Sequence, residues 1–343
     1  MSGSLIAQDP FGAAADTALP TLPRALEAER ALRELGRLPR LAGRAPRLLS
    51  IQVVRHKPGR QCVVQYELEL RGARGPERLA LLGKIRAHRF GTSGHRLLSE
   101  LWSKGFDEGS ADGISVPEPI GVVTAFRMSV QRKVEGHPAT ELFAPPAGAR
   151  PAVTPVALAR RVAEAAHKVH RARVLAERAH GLADELKVLH LTLGVLALER
   201  PALAARIKSL LGACDRRGAT LAAPVPTGIH RGFQPDQLLV DGDRLWLLDF
   251  DLYCEGDPAL DTGSFLAHLT ELALRRRGDA TALRDAEDAL AARFAELGGD
   301  AVRPSVRVYA DLTLARHVYL STRHPDRQRF TEPLLALCEE RLR

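Results

Sequence analysis

From Leu48 the chain alternates apolar and polar residues. In LLSIQVVRHKPGRQCVVQYELELRG the alternation runs on both sides of the Pro58-Gly59 dipeptide and predicts a β-hairpin. In its second arm Val64, Tyr66, Leu68 and Leu70 fall on one face while Gln65, Glu67 and Glu69 fall on the other, as a period of two requires. The next apolar run, RLALLGKIRA, predicts a third strand and carries Lys84. Positions 91–104 read as a helix that buries Leu97, Leu98 and Leu101, with Glu100 set among them. Two more strands are expected at 119–123 and 127–134, the second closing on the Glu135-Gly136 turn.

Upstream of the hairpin, LPRALEAERALRELGRL places Ala25, Ala28, Leu32 and Leu35 at i, i+3, i+7 and i+10, which predicts a short amphipathic helix after a loose N-terminal arm. Downstream, the Pro- and Ala-rich AGARPAVTPVA marks a boundary, after which Leu158, Val162, Ala165, Ala166 and Val169 repeat with helical spacing. Further helices are expected at 183–198, 201–214, 264–276, 280–297, 304–320 and 327–342, interrupted by a β-like stretch at 227–251. No internal repeat is visible. The fold class is therefore α+β, with the sheet in the first half and helices in the second.

Composition narrows the function classes. Of 343 residues 45% are hydrophobic and 26% charged, enough to bury a large core and to exclude disordered and fibrous classes. No run approaches the ~18 apolar residues of a membrane span. MSGSLIAQDP lacks the basic and apolar regions of a secretory signal, so neither membrane insertion nor secretion is expected. Cys62, Cys214, Cys254 and Cys338 are widely spaced without a CxxC pair, which fits neither a disulfide framework nor a zinc site and points to a reducing cytoplasm. The net charge is +8, but basic and acidic residues are interspersed, which reads as a solvated surface rather than a nucleic-acid patch. Only seven of the 49 basic residues are lysines, so Lys84 inside an apolar strand calls for an explanation.

The densest chemistry lies in GIHRGFQPDQLLVDGDRLWLLDFDLYCEGDPALDTG, residues 228–263. Two apolar runs flank the Asp-Gly-Asp turn at 241–243 and predict a hairpin. Its antiparallel arms bring the loop before the first, with His230, Arg231, Gln234, Asp236 and Gln237, beside the loop after the second, with Asp249 and Asp251. Carboxylate and amide oxygens gathered in this way suit a hard divalent cation such as Mg²⁺.

These residues resemble the aminoglycoside phosphotransferase and choline kinase branch of the protein-kinase-like fold, over roughly residues 48–320. That family carries His-x-Asp, four residues and an Asn, then a hairpin, a metal-binding Asp, and Gly-Asp-Pro-x-x-Asp. His230, Pro235, Asp249, Gly256, Asp257, Pro258 and Asp261 stand at the matching positions. The resemblance implies a two-lobed fold: an arm and short helix over 1–46, a nucleotide-binding lobe over 47–136 and a helical lobe over 137–343. It implies ATP and Mg²⁺ as cofactors and a small hydroxylated molecule as acceptor. Lys84 would contact the α- and β-phosphates, Glu100 would hold its ammonium, and the adenine would hang on 131–136. The HKPGRQ turn replaces a Gly-rich loop, with Lys57 and Arg60 as substitutes for its amides. Gln237, Asp249 and Asp251 would hold the metal.

The departures carry equal weight. Where the family places the carboxylate that accepts the acceptor's proton stands Gly232, and its amide metal ligand is replaced by Gln237. Loss of general-base help costs ~10²- to 10⁴-fold in rate but leaves nucleotide binding intact. Asp236 could reach in through a water. Two readings stay open: a phosphotransferase, and a nucleotide-binding pseudokinase with a regulatory or scaffolding role. At residue level, Lys84 could equally snorkel from a strand edge and Glu100 sit on an exposed helix face. His230 reads first as a packing post, Asp261 as a cap or brace of the loop, Cys254 as a small buried hydrophobe, and His167 and His170 as helix-face residues.

Overall fold

The alternation after Leu48 becomes a long antiparallel hairpin. The protein's structure, a computed structural model, describes residues 6–72, 75–88, 92–146, 148 and 152–343 and divides into two units, Met1–Glu135 and Gly136–Arg343. The start of the expected helix at Gly91, the first five residues of the arm and part of the Pro- and Ala-rich boundary lie outside the described residues.

In the first unit two short helices, α1 (Leu22–Leu26) and α2 (Ala28–Leu35), precede strands β1 (Arg47–Lys57), β2 (Gln61–Gly72) and β3 (Gly75–Arg86). Helix α3 (Ser93–Leu101), a two-residue strand β4 (Ile114–Ser115), β5 (Pro119–Val123) and β6 (Met128–Arg132) follow. The five-stranded sheet has the order β1-β2-β3-β6-β5. Tyr66, Leu68 and Leu70 are buried on one face of β2 as the alternation requires. Strand β6 starts one residue later than expected because Arg127 takes a left-handed conformation (φ 51°), and it ends at Arg132, two residues before the expected end. Beyond α3 the chain passes through a wider helical turn to Phe106, ended by Gly105 at φ 88°.

The arm expected to be loose is packed. Ala13, Leu19, Leu22, Leu35 and Leu41 are fully buried in one cluster with Val53, Tyr66 and Leu81. Gln8 pairs alongside the edge of β1, its N–H donating to the Ile51 carbonyl (2.9 Å) and its carbonyl accepting from Val53 N–H (2.8 Å). That pairing covers backbone groups an edge strand would otherwise leave open. The single amphipathic helix is broken at Glu27, whose ψ is 115°. The break frees the Ala25 carbonyl, which accepts from the buried Tyr66 hydroxyl (3.0 Å).

The second unit opens with β7 (His137–Pro138), α4 (Ala139–Phe143), α5 (Pro155–Arg171), α6 (Leu182–Glu199) and α7 (Ala204–Gly218). Strands β8 (Thr227–Ile229), β9 (Leu238–Asp241), β10 (Arg244–Leu247) and β11 (Cys254–Gly256) follow. Helices α8 (Pro258–Arg277), α9 (Arg284–Gly298), α10 (Arg303–Thr322) and α11 (Thr331–Arg341) close the chain. Helix α8 begins earlier than the periodicity suggests because Asp257 caps it, accepting from Ala259 N–H (2.9 Å), and Pro258 takes the first helical position. It stops at Gly278, which has φ 72°. Gly263 lets α8 and α10 close on each other, since a Cβ there would lie 2.6 Å from the Val306 carbonyl oxygen. All four cysteines are free and buried. Among the described residues no helix is long and apolar enough to cross a membrane.

Candidate active site

Two short antiparallel ribbons build the site. In one, Ile229 of β8 pairs with Cys254 of β11. In the other, Leu238 of β9 pairs with Leu247 of β10 across a two-residue turn that starts at Gly242 (φ 54°). The segments 230–237 and 248–253 both leave the paired ends Leu238 and Leu247, so they lie side by side as the hairpin predicts. They are stitched together: Leu248 N–H donates to the Gln237 carbonyl (2.9 Å), and His230 Nε2 donates to the Leu248 carbonyl (2.8 Å).

Asp261, in the first turns of α8 and fully buried, holds the start of the loop. Its carboxylate accepts the backbone N–H of His230 (2.8 Å) and of Arg231 (2.7 Å). It also accepts from Nε2 of His170, the penultimate residue of α5 (2.9 Å). Of the two roles expected for Asp261, bracing is the one it performs; the cap is Asp257. The brace holds Arg231 in the left-handed region at φ 62°. The His230 ring is completely buried, 4.5 Å from the Phe250 ring and 5.7 Å from Phe233, which in turn packs on Phe265 at 5.3 Å. With Nε2 committed to the Leu248 carbonyl, the buried Nδ1 has no hydrogen-bond partner among the described residues.

Gly232 follows this anchor. A Cβ built there meets nothing nearer than 3.6 Å, from the His230 ring, and the backbone is not in the left-handed region. The position therefore lacks a carboxylate without any steric demand for glycine. Gly228 is the opposite case: a Cβ there would sit 1.9 Å from the Tyr253 hydroxyl, which donates to the Val174 carbonyl (2.9 Å). Asp236 is exposed and accepts a short hydrogen bond from the Thr140 hydroxyl of α4. Gln237 ends the 3₁₀ turn Pro235–Gln237 with its side chain partly exposed. Asp249 takes φ 60° and ψ 61°, a strained backbone that a short polar side chain tolerates and that occurs often at functional sites. Asp251 is exposed, and its carbonyl accepts from Arg178 Nη2 (3.0 Å).

In the first unit Lys84 is partly buried in the middle of β3, paired in register with Val63 of β2 and Ser129 of β6. Its neighbours Gly83 and Ile85 face the core cluster, so Lys84 occupies the other face of the sheet. Glu100 lies on α3 and pairs with Lys104 (3.3 Å). At the β1–β2 turn Arg60 is exposed and Lys57 partly exposed. The Gly59 N–H donates to Asp16 Oδ2 (2.8 Å), and the same oxygen accepts from His56 Nε2 (2.9 Å). The His56 hydrogen bond, followed by that from Gly59, holds the Asp16 carboxyl below its ordinary range.

Sequence reasoning missed His170, Thr140 and Asp16, each of which fixes a segment far away in the chain. A pair of histidines three apart at the end of an amphipathic helix carried no signal for the Asp261 bond. It also missed Glu185 of α6, which is buried and bonded to His180 Nε2 at 2.6 Å. Burial alone would raise the Glu185 carboxyl, but His180, Arg316 and Arg231 together bring it below the usual value.

Metal fit rests on the donor set. Among the described residues no group of three or more His, Cys, Asp or Glu gathers as a metal cage. Gln237, Asp249 and Asp251 offer hard oxygens instead, and Mg²⁺ is commonly held by one or two carboxylates with substrate phosphates and water. The residues present fit that mode.

Comparison with curated protein sequences gives no match. Among solved structures, a choline/ethanolamine kinase family protein from Mesorhizobium loti is similar over 92% of this chain and 94% of its own, with a TM-score of 0.53 and 17% identity. The ternary complex of APH(2")-IIa with streptomycin and ATP is similar over 91% and 96%, with a TM-score of 0.51 and 11% identity. An ethanolamine kinase from Plasmodium vivax is similar over 85% and 82%, with a TM-score of 0.53 and 10% identity. The expected α+β, two-lobed kinase-like fold is the fold these proteins share. The model of the phosphotransferase enzyme family matches residues 95–309, more than half of the sequence, and the chain belongs to that family.

Proposed function

We propose that the protein transfers the terminal phosphoryl group of ATP to the hydroxyl of a small molecule. The observation that carries this reading is the Asp261 brace, with two backbone N–H groups of the 230–237 loop fixed by one buried carboxylate. Phosphoryl transfer depends mostly on positioning and electrostatics, and a loop held in this way is what positioning requires. Proteins of similar fold are named as a choline/ethanolamine kinase family protein, an ethanolamine kinase and an aminoglycoside 2'-phosphotransferase, and complexes with ATP and GDP are among them.

Lys84 is the phosphate-binding cation carried by the first unit, with Lys57 and Arg60 at the β1–β2 turn as further candidates and Glu100 as its positioning partner. The Gly59 amide is already bonded to Asp16, so that turn offers side chains rather than this amide to a phosphate. Asp249 and Gln237 hold Mg²⁺, with Asp251 beside them; the ion, when bound, neutralises charge on the phosphates. His230 anchors the loop through Leu248. Gly232 offers no proton acceptor, so the acceptor's proton leaves to water or to Asp236 through water, and turnover is slow.

A second reading, a nucleotide-binding pseudokinase, is favoured by one observation: Gly232 has room for a side chain and has none. Calorimetric titration with ATP and Mg²⁺ tests what both readings share. Binding that weakens in Lys84→Met and loses its metal dependence in Asp249→Asn is expected, and no binding by the wild type would overturn both.

A further inference from the structure

Beside the braced loop the second unit gathers an excess of positive charge around two packed imidazoles. His268 of α8 and His317 of α10 stack edge to face with ring centroids 4.5 Å apart. His317 is 3% exposed and its Nε2 has no hydrogen-bond partner among the described residues. Burial first, then Arg316, Arg327 and Arg275, depress His268 to about 3, and burial first, then His268 and the same arginines, push His317 well below its ordinary value. Both rings are thus neutral at pH 7, and the three arginines lie close enough to act on each of them.

Among the described residues the carboxylates in ion-pair contact with these arginines are Glu271 and Glu185. Glu271 meets Arg275 at 2.8 Å and Arg327 at 3.9 Å. Glu185 meets Arg316 at 3.4 Å and, at 3.9 Å, Arg231 of the loop itself. Four guanidinium groups therefore meet two carboxylates in ion-pair contact, Glu185 being bonded to His180 as well (2.6 Å), and Asp184 is the further carboxylate that acts on Arg231. The arginine side chains keep between 16% and 29% of their surface, so they are partly desolvated and still reachable. Partly buried charge of one sign in excess is costly without a counter-charge, and guanidinium groups suit carboxylate or phosphate geometry.

We propose that this cluster recognises an acid group on the acceptor, so that the molecule phosphorylated is a hydroxy acid or another anionic alcohol. The inference rests on the phosphotransferase reading for the word acceptor. The contact of Arg231 with Glu185 ties the cluster to the loop that holds Gly232. A cationic alcohol would meet like charge at this place, and the unpartnered Nε2 of His317 supplies a polar contact that a ligand can complete.

Malonate, a small dicarboxylate, is the probe. The full-length protein, with histidine rings labelled with ¹⁵N, is titrated with sodium malonate or choline chloride at constant ionic strength, and Mg·ATP binding is measured separately. Malonate is expected to shift the His268 and His317 resonances saturably, and choline to leave them in place. Arg327→Gln, on the exposed side of the cluster, is expected to weaken malonate about tenfold, the effect of losing one charge-assisted hydrogen bond. Rings unmoved by malonate, or moved by choline, would overturn the inference whether or not that variant folds. If Mg·ATP binds and malonate does not, the inference fails alone. If malonate shifts the rings and Mg·ATP does not bind, the anion site stands and the phosphotransferase reading falls.

Discussion

Asp261 accepts the backbone N–H of Arg231 at 2.7 Å, across 30 residues of chain, and through that bond a helix start sets the conformation of the loop that carries Gly232. The residue is fully buried, and its other oxygen serves His230 and His170. Asp261→Ala leaves these donors without an acceptor, at about 1–3 kcal/mol for each buried group. A urea midpoint lower by an amount in that range or above it is expected, and Asp261→Ala with a wild-type midpoint would show that the brace contributes nothing to the fold.

Acid should destabilise the second unit as pH falls below the ordinary histidine range. His268 and His317 are depressed in the folded protein and ordinary in the unfolded chain, so the unfolded state binds more protons below about pH 6.5. Stability therefore falls as pH falls through that window and continues downward toward the folded value of about 3 for His268. Thermal melts between pH 7 and pH 4 should show the loss, and His268→Gln should make the curve shallower. An identical pH dependence in that variant would remove this histidine as its source.

In the first unit Asp16 binds the arm to the β1–β2 turn. Asp16→Ala frees the Gly59 amide, and its hydrogen exchange is expected to rise about tenfold, as the loss of one ordinary hydrogen bond implies. The Asp16 carboxyl is depressed in the fold, so its contribution is present above an ordinary aspartate pKa and is lost as pH falls through the lowered folded value. Unchanged exchange at Gly59 would mean that the turn holds its shape alone.

Much of this was legible because the signals are local. Alternation in 61–70 gave the β2 face, whereas the start of α8 at Asp257-Pro258 was passed over because apolar periodicity alone places that helix from 264. The hairpin at 238–247 was readable because its signals are local, and with it the adjacency of the two loops. What the sequence hid depends on distant partners. The burial of Ala13, Leu19, Leu22, Leu35 and Leu41 follows from the sheet offering them an apolar face, and nothing in MSGSLIAQDPFGAAAD announces it. The break at Glu27 serves Tyr66, 39 positions away, and the His170 bond to Asp261 spans 91. Such long-range pairs leave no periodic trace.

The most direct measurement is single-turnover transfer of the ATP γ-phosphoryl group, followed by ³¹P NMR over a panel of hydroxy acids and cationic alcohols, in the wild type and in Gly232→Asp. The backbone at 232 accepts a Cβ at ordinary contact distance, its nearest neighbour lying at 3.6 Å. Slow transfer by the wild type is predicted, rising by up to about 10²-fold in the variant, the lower end of what a general base supplies. ATP bound by both proteins with no transfer above the blank in either would contradict the account and leave a nucleotide-binding protein without catalysis.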